Sequence, residues 1–130
     1  MLLKKFPMSV SSKVIVLGAS PTPSRFSHIA VVRLLEQGYD VVPVHPQADT
    51  IHGIEVVKSL DDVEGKVDTI TMYVPKSISN GLYESLCSLS PQRVLFNPGT
   101  ENPDLVIKLE AKGIRTKEAC TLVLLANGKF

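Results

Sequence analysis

No charge of one sign prevails in this sequence: across 130 residues, 14 basic and 13 acidic side chains leave a formal net charge of +1. A near-neutral chain offers no broad electrostatic surface to duplex DNA or to an anionic membrane, although a local basic pocket stays open to it. Cysteine is scarce as well. Cys87 and Cys120 stand in no metal or redox spacing and form no secreted disulfide framework, so a reducing, cytoplasmic setting is expected. Long apolar runs are missing. The longest, Ala119 to Ala126, contains Cys120 and Thr121 and falls far below the roughly 20 residues of a membrane span. The opening Met1-Leu2-Leu3-Lys4-Lys5-Phe6-Pro7 has too short an apolar run for a signal peptide. His28, His45 and His52 show no i, i+4 pair, so no metal site is expected.

What is present is ordinary globular material, 44% hydrophobic and 21% charged. The length suits one domain burying on the order of two-thirds of its unfolded surface. Residues 1–12, with Pro7 and three serines, read as a tail or edge segment, and residues 13–130 as the domain. Strand and helix alternate through that domain. An apolar strand at about 13–18 precedes a helix from about Ser24 to Gln37, whose Val31, Leu34 and Leu35 form one face and which Gly38 ends. A strand at 40–45 contains Pro43, which places it at a sheet edge or shortens it. A weak strand at Ile54–Val57 and a third main strand at Thr69–Val74 follow. A helix capped by Ser77 carries the stripe Ile78, Leu82, Leu86 and Leu89. After a strand at Arg93–Asn97, Asn102 as N-cap and Pro103 open the next helix. A short strand at Ile114–Thr116 and a helix over 118–126 complete the chain. Right-handed crossovers make this an α/β chain: a single Rossmann-like domain with a five-stranded parallel sheet and helices on both faces. The expected strand order is 3-2-1-4-5.

In such sheets, ligands lie beyond the carboxyl ends of the strands. The first strand ends in Gly18-Ala19-Ser20, a turn of small residues just before a helix start, which suits a phosphate. Arg25 follows and is placed to pair with that phosphate, while Ser20, Ser24 and Ser27 are further donors. Equally, Arg25 is read as a solvated residue, Ser24 as an N-cap and Ser27 as surface. The second strand ends in His45-Pro46, the third in Val74-Pro75 and the fourth in Asn97-Pro98-Gly99. Proline at three of these ends makes rigid apolar walls. The turn is not a Gly-x-Gly-x-x-Gly fingerprint. His45 also stands where an NAD site expects an acid for the ribose hydroxyls, which disfavours NAD and leaves NADP. Isolated Glu101 and Glu118 make no acid/base pair, and Cys120 before an apolar helix reads as core.

Taken together, Val16-Leu17-Gly18-Ala19-Ser20, Arg25-Phe26-Ser27, the run Gly38 to Pro46, Val74-Pro75, Asn97 to Asn102, and Cys120 resemble the stand-alone CoA-binding domain proteins. These are similar to the N-terminal domain of the succinyl-CoA synthetase α subunit. The resemblance covers about residues 13–125. It implies that CoA or an acyl-CoA lies across the strand ends. Gly18, Ala19, Ser20 and Arg25, next to Phe26 and Ser27, would meet its phosphates. The loop at His45-Pro46 would lie by the 3′-phosphate, although the family often has Asn where this chain has His45. Val74, Pro75 and Lys76 would flank the adenine or ribose, and Asn97, Pro98 and Gly99 would border the pantetheine. The synthetase's phosphohistidine domain has no counterpart in this sequence, so ligase activity does not carry over. The expectation is a small-molecule binding module, a carrier, sensor or subunit of a homo-oligomer or mixed complex, without catalysis of its own. The competing readings are an NAD(P)-dependent oxidoreductase or redox sensor, and an enzyme of CoA thioesters that uses Cys120.

Overall fold

The computed structural model describes residues 12–130, so the expected tail lies, but for Ser12, outside the described residues. The first strand, β1 (Lys13–Leu17), shows why its apolar run is continuous. Side chains alternate across a strand. Val14 and Val16 enter one core with Val31, Leu34 and Leu125, while Ile15 and Leu17 enter a second with Leu86, Phe96 and Leu109. Both faces of β1 are therefore buried, as in a parallel sheet sheathed by helices.

Helix α1 (Phe26–Glu36) packs Val31 and Leu34 on the first face. It ends at Gly38, whose φ of +90° lets the Gly38 and Tyr39 amides turn back to the carbonyls of Leu35 and Leu34. Strand β2 (Asp40–Val44) then pairs with β1 and forms the sheet edge, as Pro43 requires. Beyond it, β3 (Thr50–Ile51) and β4 (Ile54–Glu55) make a small hairpin. The expected strand at 54–57 is split: Val57 leaves the hairpin and bridges Val44.

Next come β5 (Thr69–Met72), α2 (Lys76–Ser79), α3 (Tyr83–Leu89), β6 (Arg93–Phe96), α4 (Pro103–Ala111), β7 (Arg115–Glu118) and α5 (Thr121–Ala126). The main sheet is five-stranded and parallel, in the order β2-β1-β5-β6-β7. The class is as expected; the order is not. Counting main strands alone, it is 2-1-3-4-5, so β1 neighbours the third main strand and not the fourth. Strand-and-helix periodicity carries no information about which side of β1 the chain returns to.

Several element ends also differ. The helix expected from Ser77 through Leu89 is two short helices, because Gly81 stands in its middle and the Leu82 amide bonds the Ser79 carbonyl in a tight turn. Pro75, not Ser77, precedes the first of them, and Ile78 faces outward, 53% exposed. Helix α1 starts two residues later than expected, with an extended Arg25 at the N-cap and no side-chain cap from Ser24. Ile114 belongs to the turn closing α4, where its amide bonds Leu109, so β7 begins at Arg115 and α5 only at Thr121. Asn102 is the N-cap of α4 as expected. Its Oδ1 accepts from the Leu105 amide at 3.3 Å, while its Nδ2 donates to Ser79 Oγ and Asn80 Oδ1, both at 2.9 Å. No helix among the described residues is long and apolar enough to cross a membrane.

Candidate functional site

The strand order decides where a ligand fits. From β1 the chain runs to β2 on one side and, later, to β5 on the other, so the switch point lies between the carboxyl ends of β1 and β5. Gly18 and Val74 meet there. Gly18 has φ +88°, and a Cβ on it would stand 2.8 Å from Val74 Cγ1 and 3.1 Å from the Tyr73 carbonyl carbon. Glycine is required twice over, by conformation and by closeness.

The turn after Gly18 is bonded inward. The Gly18 and Ala19 amides both donate to the Val44 carbonyl, at 3.0 and 3.1 Å, and Ala19 is fully buried. The Ser20 amide donates to Ser27 Oγ at 3.0 Å, and the Thr22 amide to Ser20 Oγ at 3.1 Å. His28 Nδ1 lies 2.9 Å from the Ser20 carbonyl. A carbonyl only accepts, so the His28 proton sits on Nδ1. Ser27 and His28 are both buried and hold the loop from within. Gly18, Ala19 and Ser20 therefore shape the turn with amides already engaged. The donors that stay available are at the start of α1: among the described residues, the Phe26 and Ser27 amides meet no acceptor. Arg25 beside them is exposed and has no carboxylate partner among those residues. Two amides without acceptors among the described residues, a helix N-terminus and a guanidinium together favour negative charge at this point.

At the end of β2, His45 Nδ1 accepts the amides of Gln47 and Ala48 at 3.0 and 2.9 Å. The imidazole thus folds the loop behind exposed Pro46, and its Nε2 meets no partner among the described residues. Lys58 reaches the same loop, with Nζ 3.1 Å from the Gln47 carbonyl, 2.6 Å from that of Ala48 and 2.9 Å from Asp49 Oδ1. The one acid near the end of β2 is therefore already paired. Val74 is half-buried against Gly18, while Pro75 and Lys76 are exposed at the start of α2.

Asn97 is 2% exposed and fully used within the protein. Its Nδ2 donates to Thr71 Oγ1 at 2.7 Å and to the Met72 carbonyl at 2.9 Å, and its Oδ1 accepts the Thr121 amide at 2.8 Å. It ties β5, β6 and α5 together, and its amide group is not free to reach a ligand. Pro98 and Gly99 are exposed beyond it, with the Gly99 amide on Glu101 Oε1 at 3.0 Å.

A small cavity of about 170 Å³ opens at this edge, lined by Phe26, Tyr73, Asn97, Pro98, Cys120 and Leu122. It brings together three of the expected residues, Phe26, Asn97 and Pro98, with the half-buried thiol of Cys120. Burial first, and then the neighbouring Cys120, push the Tyr73 phenol up to about 12. A larger cavity, about 500 Å³, lies toward the amino ends of β6 and β7 beside Arg93 and Arg115, away from the switch point. Among the described residues, no group of three or more His, Cys, Asp or Glu side chains gathers as for a metal ion.

Sequence reasoning missed Tyr73, Lys58 and the anchoring part of His28. Tyr73 was within reach, since it precedes Val74-Pro75 at a strand end. Lys58 was not, because only the return of the chain through the β3–β4 hairpin brings it to the loop at 47–49.

Residues 12–126 match the model of a family described as CoA binding domain, and the chain belongs to that family. A solved structure of an uncharacterized protein superposes with a TM-score of 0.86 at 37% identity, covering 92% of this chain and 98% of that one. The uncharacterized protein YneT of Bacillus subtilis (strain 168) is 26% identical over 103 residues, 79% of this chain and 76% of its own length. The ADP-forming acetate–CoA ligase of Methanocaldococcus jannaschii is 30% identical over 71 residues. That stretch is 55% of this chain but only 10% of the ligase.

Proposed function

We propose that this chain binds CoA, or an acyl-CoA, across the carboxyl ends of β1, β2, β5 and β6, and that it serves as a binding module in the cytoplasm without catalysis of its own. One observation carries the reading: next to the switch point, the start of α1 presents the Phe26 and Ser27 amides and the Arg25 guanidinium, none of which has an acceptor or carboxylate partner among the described residues. Family membership says which phosphate-bearing molecule to expect there. The pyrophosphate rests on α1, with Ser24 and Arg25 alongside. The His45-Pro46 loop, backed by Lys58, takes the 3′-phosphate end. Val74, Pro75 and Lys76 flank the adenosine, and Pro98 and Gly99 border the pantetheine. An NAD ribose needs a carboxylate at the end of β2, where this chain has His45, and the nearest acid, Asp49, lies beyond Pro46. The test is a thermal-shift series with CoA, NAD and NADP. CoA raises the melting temperature and the dinucleotides do not; a shift with NADP alone reverses the assignment.

A further inference from the structure

The sheet ends at β7 with one side uncovered. Among the described residues β7 pairs with β6 alone, so it is an edge strand. The Arg115 and Ala119 amides donate to β6, at the Gln92 and Phe96 carbonyls. Backbone groups alternate along a strand, so the Thr116 and Glu118 amides and carbonyls point outward, where a further strand would pair with them. The opposite edge differs: the Val57 backbone bonds the Pro43 carbonyl and the His45 amide and covers the end of β2. The cavity of about 500 Å³ follows the β7 rim. Its walls come from both faces of the strand. Thr116 lies on the α4 side, its hydroxyl donating to Glu110 Oε2 at 2.6 Å, while Arg115 and Lys117 alternate to the other side with Arg93.

The charges on this rim choose among partners. Arg93 is held within the protein: Nε donates to Thr69 Oγ1 at 2.8 Å, Nη2 to the Phe130 carbonyl at 3.1 Å, and the guanidinium stands 4.5 Å from the Phe130 ring centroid. Arg115 and Lys117 are exposed and have no carboxylate partner among the described residues. Residues directly opposite on neighbouring strands share a face of the sheet. A strand added to β7 therefore sets alternate residues against Arg115 and Lys117, and carboxylates at those positions are the complement. A second copy of this chain does not supply it. Two β7 strands pair antiparallel about a two-fold axis normal to the sheet, which passes between one residue and its copy. Centred on Thr116, the axis sets Arg115 against Lys117; centred on Arg115, Lys117 or Glu118, it sets that residue against itself. Like charges meet in every register. Residues 1–11 carry Lys4 and Lys5 and no acid, so they are no complement either.

We propose that the β7 edge is a docking site for an extended acidic segment of another protein, with Asp or Glu at alternate positions. The segment adds a strand to the sheet. Its backbone bonds the outward groups of Thr116 and Glu118, and its alternate carboxylates meet Arg115 and Lys117. The rim lies away from the switch point, so this inference stands independently of the CoA reading.

The experiment is fluorescence anisotropy of labelled peptides titrated with the full chain. The probes are Thr-Glu-Val-Glu-Val-Glu-Thr, its isomer Thr-Val-Val-Glu-Glu-Glu-Thr with the acids adjacent, and Thr-Lys-Val-Lys-Val-Lys-Thr. Wild type binds the alternating acidic peptide with a Kd on the order of 100 μM, as suits a small contact, and the isomer about fivefold more weakly. The pair Arg115→Glu and Lys117→Glu reverses the choice, losing the acidic peptide and binding the lysine one. Thr116→Pro removes an outward amide and no bond of the β6–β7 ladder, so it folds, as circular dichroism and the melting temperature verify. It weakens the acidic peptide about tenfold. Backbone N-methylation of the peptide tests the same bonds with the protein unaltered: on the glutamates or on the valines, only one set abolishes binding, and equal effects overturn strand addition. Equal binding of the two acidic isomers overturns the proposal in favour of general attraction between charges. No binding of the alternating peptide at about millimolar concentration, or binding that Thr116→Pro leaves untouched, overturns it too. So does a wild-type dimer in sedimentation that Thr116→Pro dissociates, since the edge then belongs to a second copy.

Discussion

Gly18 and Val74 close the seam between β1 and β5: Val74 Cγ1 occupies the ground a Gly18 side chain would need, at 2.8 Å from its Cβ position. A Gly18→Ala substitution meets that methyl, the Tyr73 backbone at 3.1 and 3.2 Å, and the strain of φ +88° together. It lowers unfolding free energy by about 2–3 kcal/mol in urea titration, toward the upper range for positive-φ glycines. Val74→Ala in the same background recovers part of the loss by removing the methyl contact but not the strain.

Asn97→Ala removes three buried hydrogen bonds at once, leaving the Thr121 amide without its acceptor and taking a donor from the Met72 carbonyl and from Thr71 Oγ1, which keeps its bond to Thr121 Oγ1. The expected loss is roughly 3 kcal/mol, since each unsatisfied buried group costs about 1–3 kcal/mol and some recover by relaxation. Denaturant unfolding measures it. A loss below about 1 kcal/mol would contradict the reading of Asn97 as the tie between β5, β6 and α5.

Stability falls in strongly alkaline solution, and Tyr73 accounts for a definable part. Its folded pKa is raised from 10.0 to about 12 by burial, so the folded protein holds the phenol proton where the unfolded chain releases it. The Tyr73 contribution is complete below pH 10 and is lost as pH rises from about 10 to about 12. Two units correspond to about 2–3 kcal/mol, an order-of-magnitude figure. Other tyrosines and lysines titrate in this range, so the measured quantity is the difference between wild type and Tyr73→Phe. That difference shifts in favour of the variant between pH 10 and 12.

Lys58 is exposed enough that its pair with Asp49 contributes little, so Lys58→Ala changes stability by less than about 1 kcal/mol. Its part in binding is separable. If Lys58 backs the loop that receives the ribose phosphate, Lys58→Ala weakens CoA several-fold and leaves 3′-dephospho-CoA unaltered. Equal weakening of both ligands would place Lys58 outside the phosphate subsite.

The elements with strong local signals were readable in the chain. The run at Val14–Leu17, the Asn102-Pro103 helix start and the Gly38 helix end are each dictated by neighbours in sequence. The pairing of β1 with β5 is not, because it depends on which side of the sheet each crossover packs, a matter of long-range burial. The same divide runs through the site. Arg25 and the small-residue turn stand out in the sequence as candidates for a phosphate contact. That the Gly18, Ala19 and Ser20 amides are already taken by Val44 and Ser27 depends on side chains and strands that only the fold brings together. Arg25 at the N-cap and the free amides of α1 emerge from that same accounting.

The most direct measurement is the titration of CoA into wild type and Arg25→Ala. CoA binds wild type saturably, one molecule per chain. Arg25→Ala weakens it by roughly 1–3 kcal/mol, the range for a charge-assisted hydrogen bond, with the melting temperature of the free protein unaltered. No binding to folded wild-type protein at about millimolar CoA, or binding that Arg25→Ala leaves untouched, would contradict the placement of CoA phosphates at the start of α1.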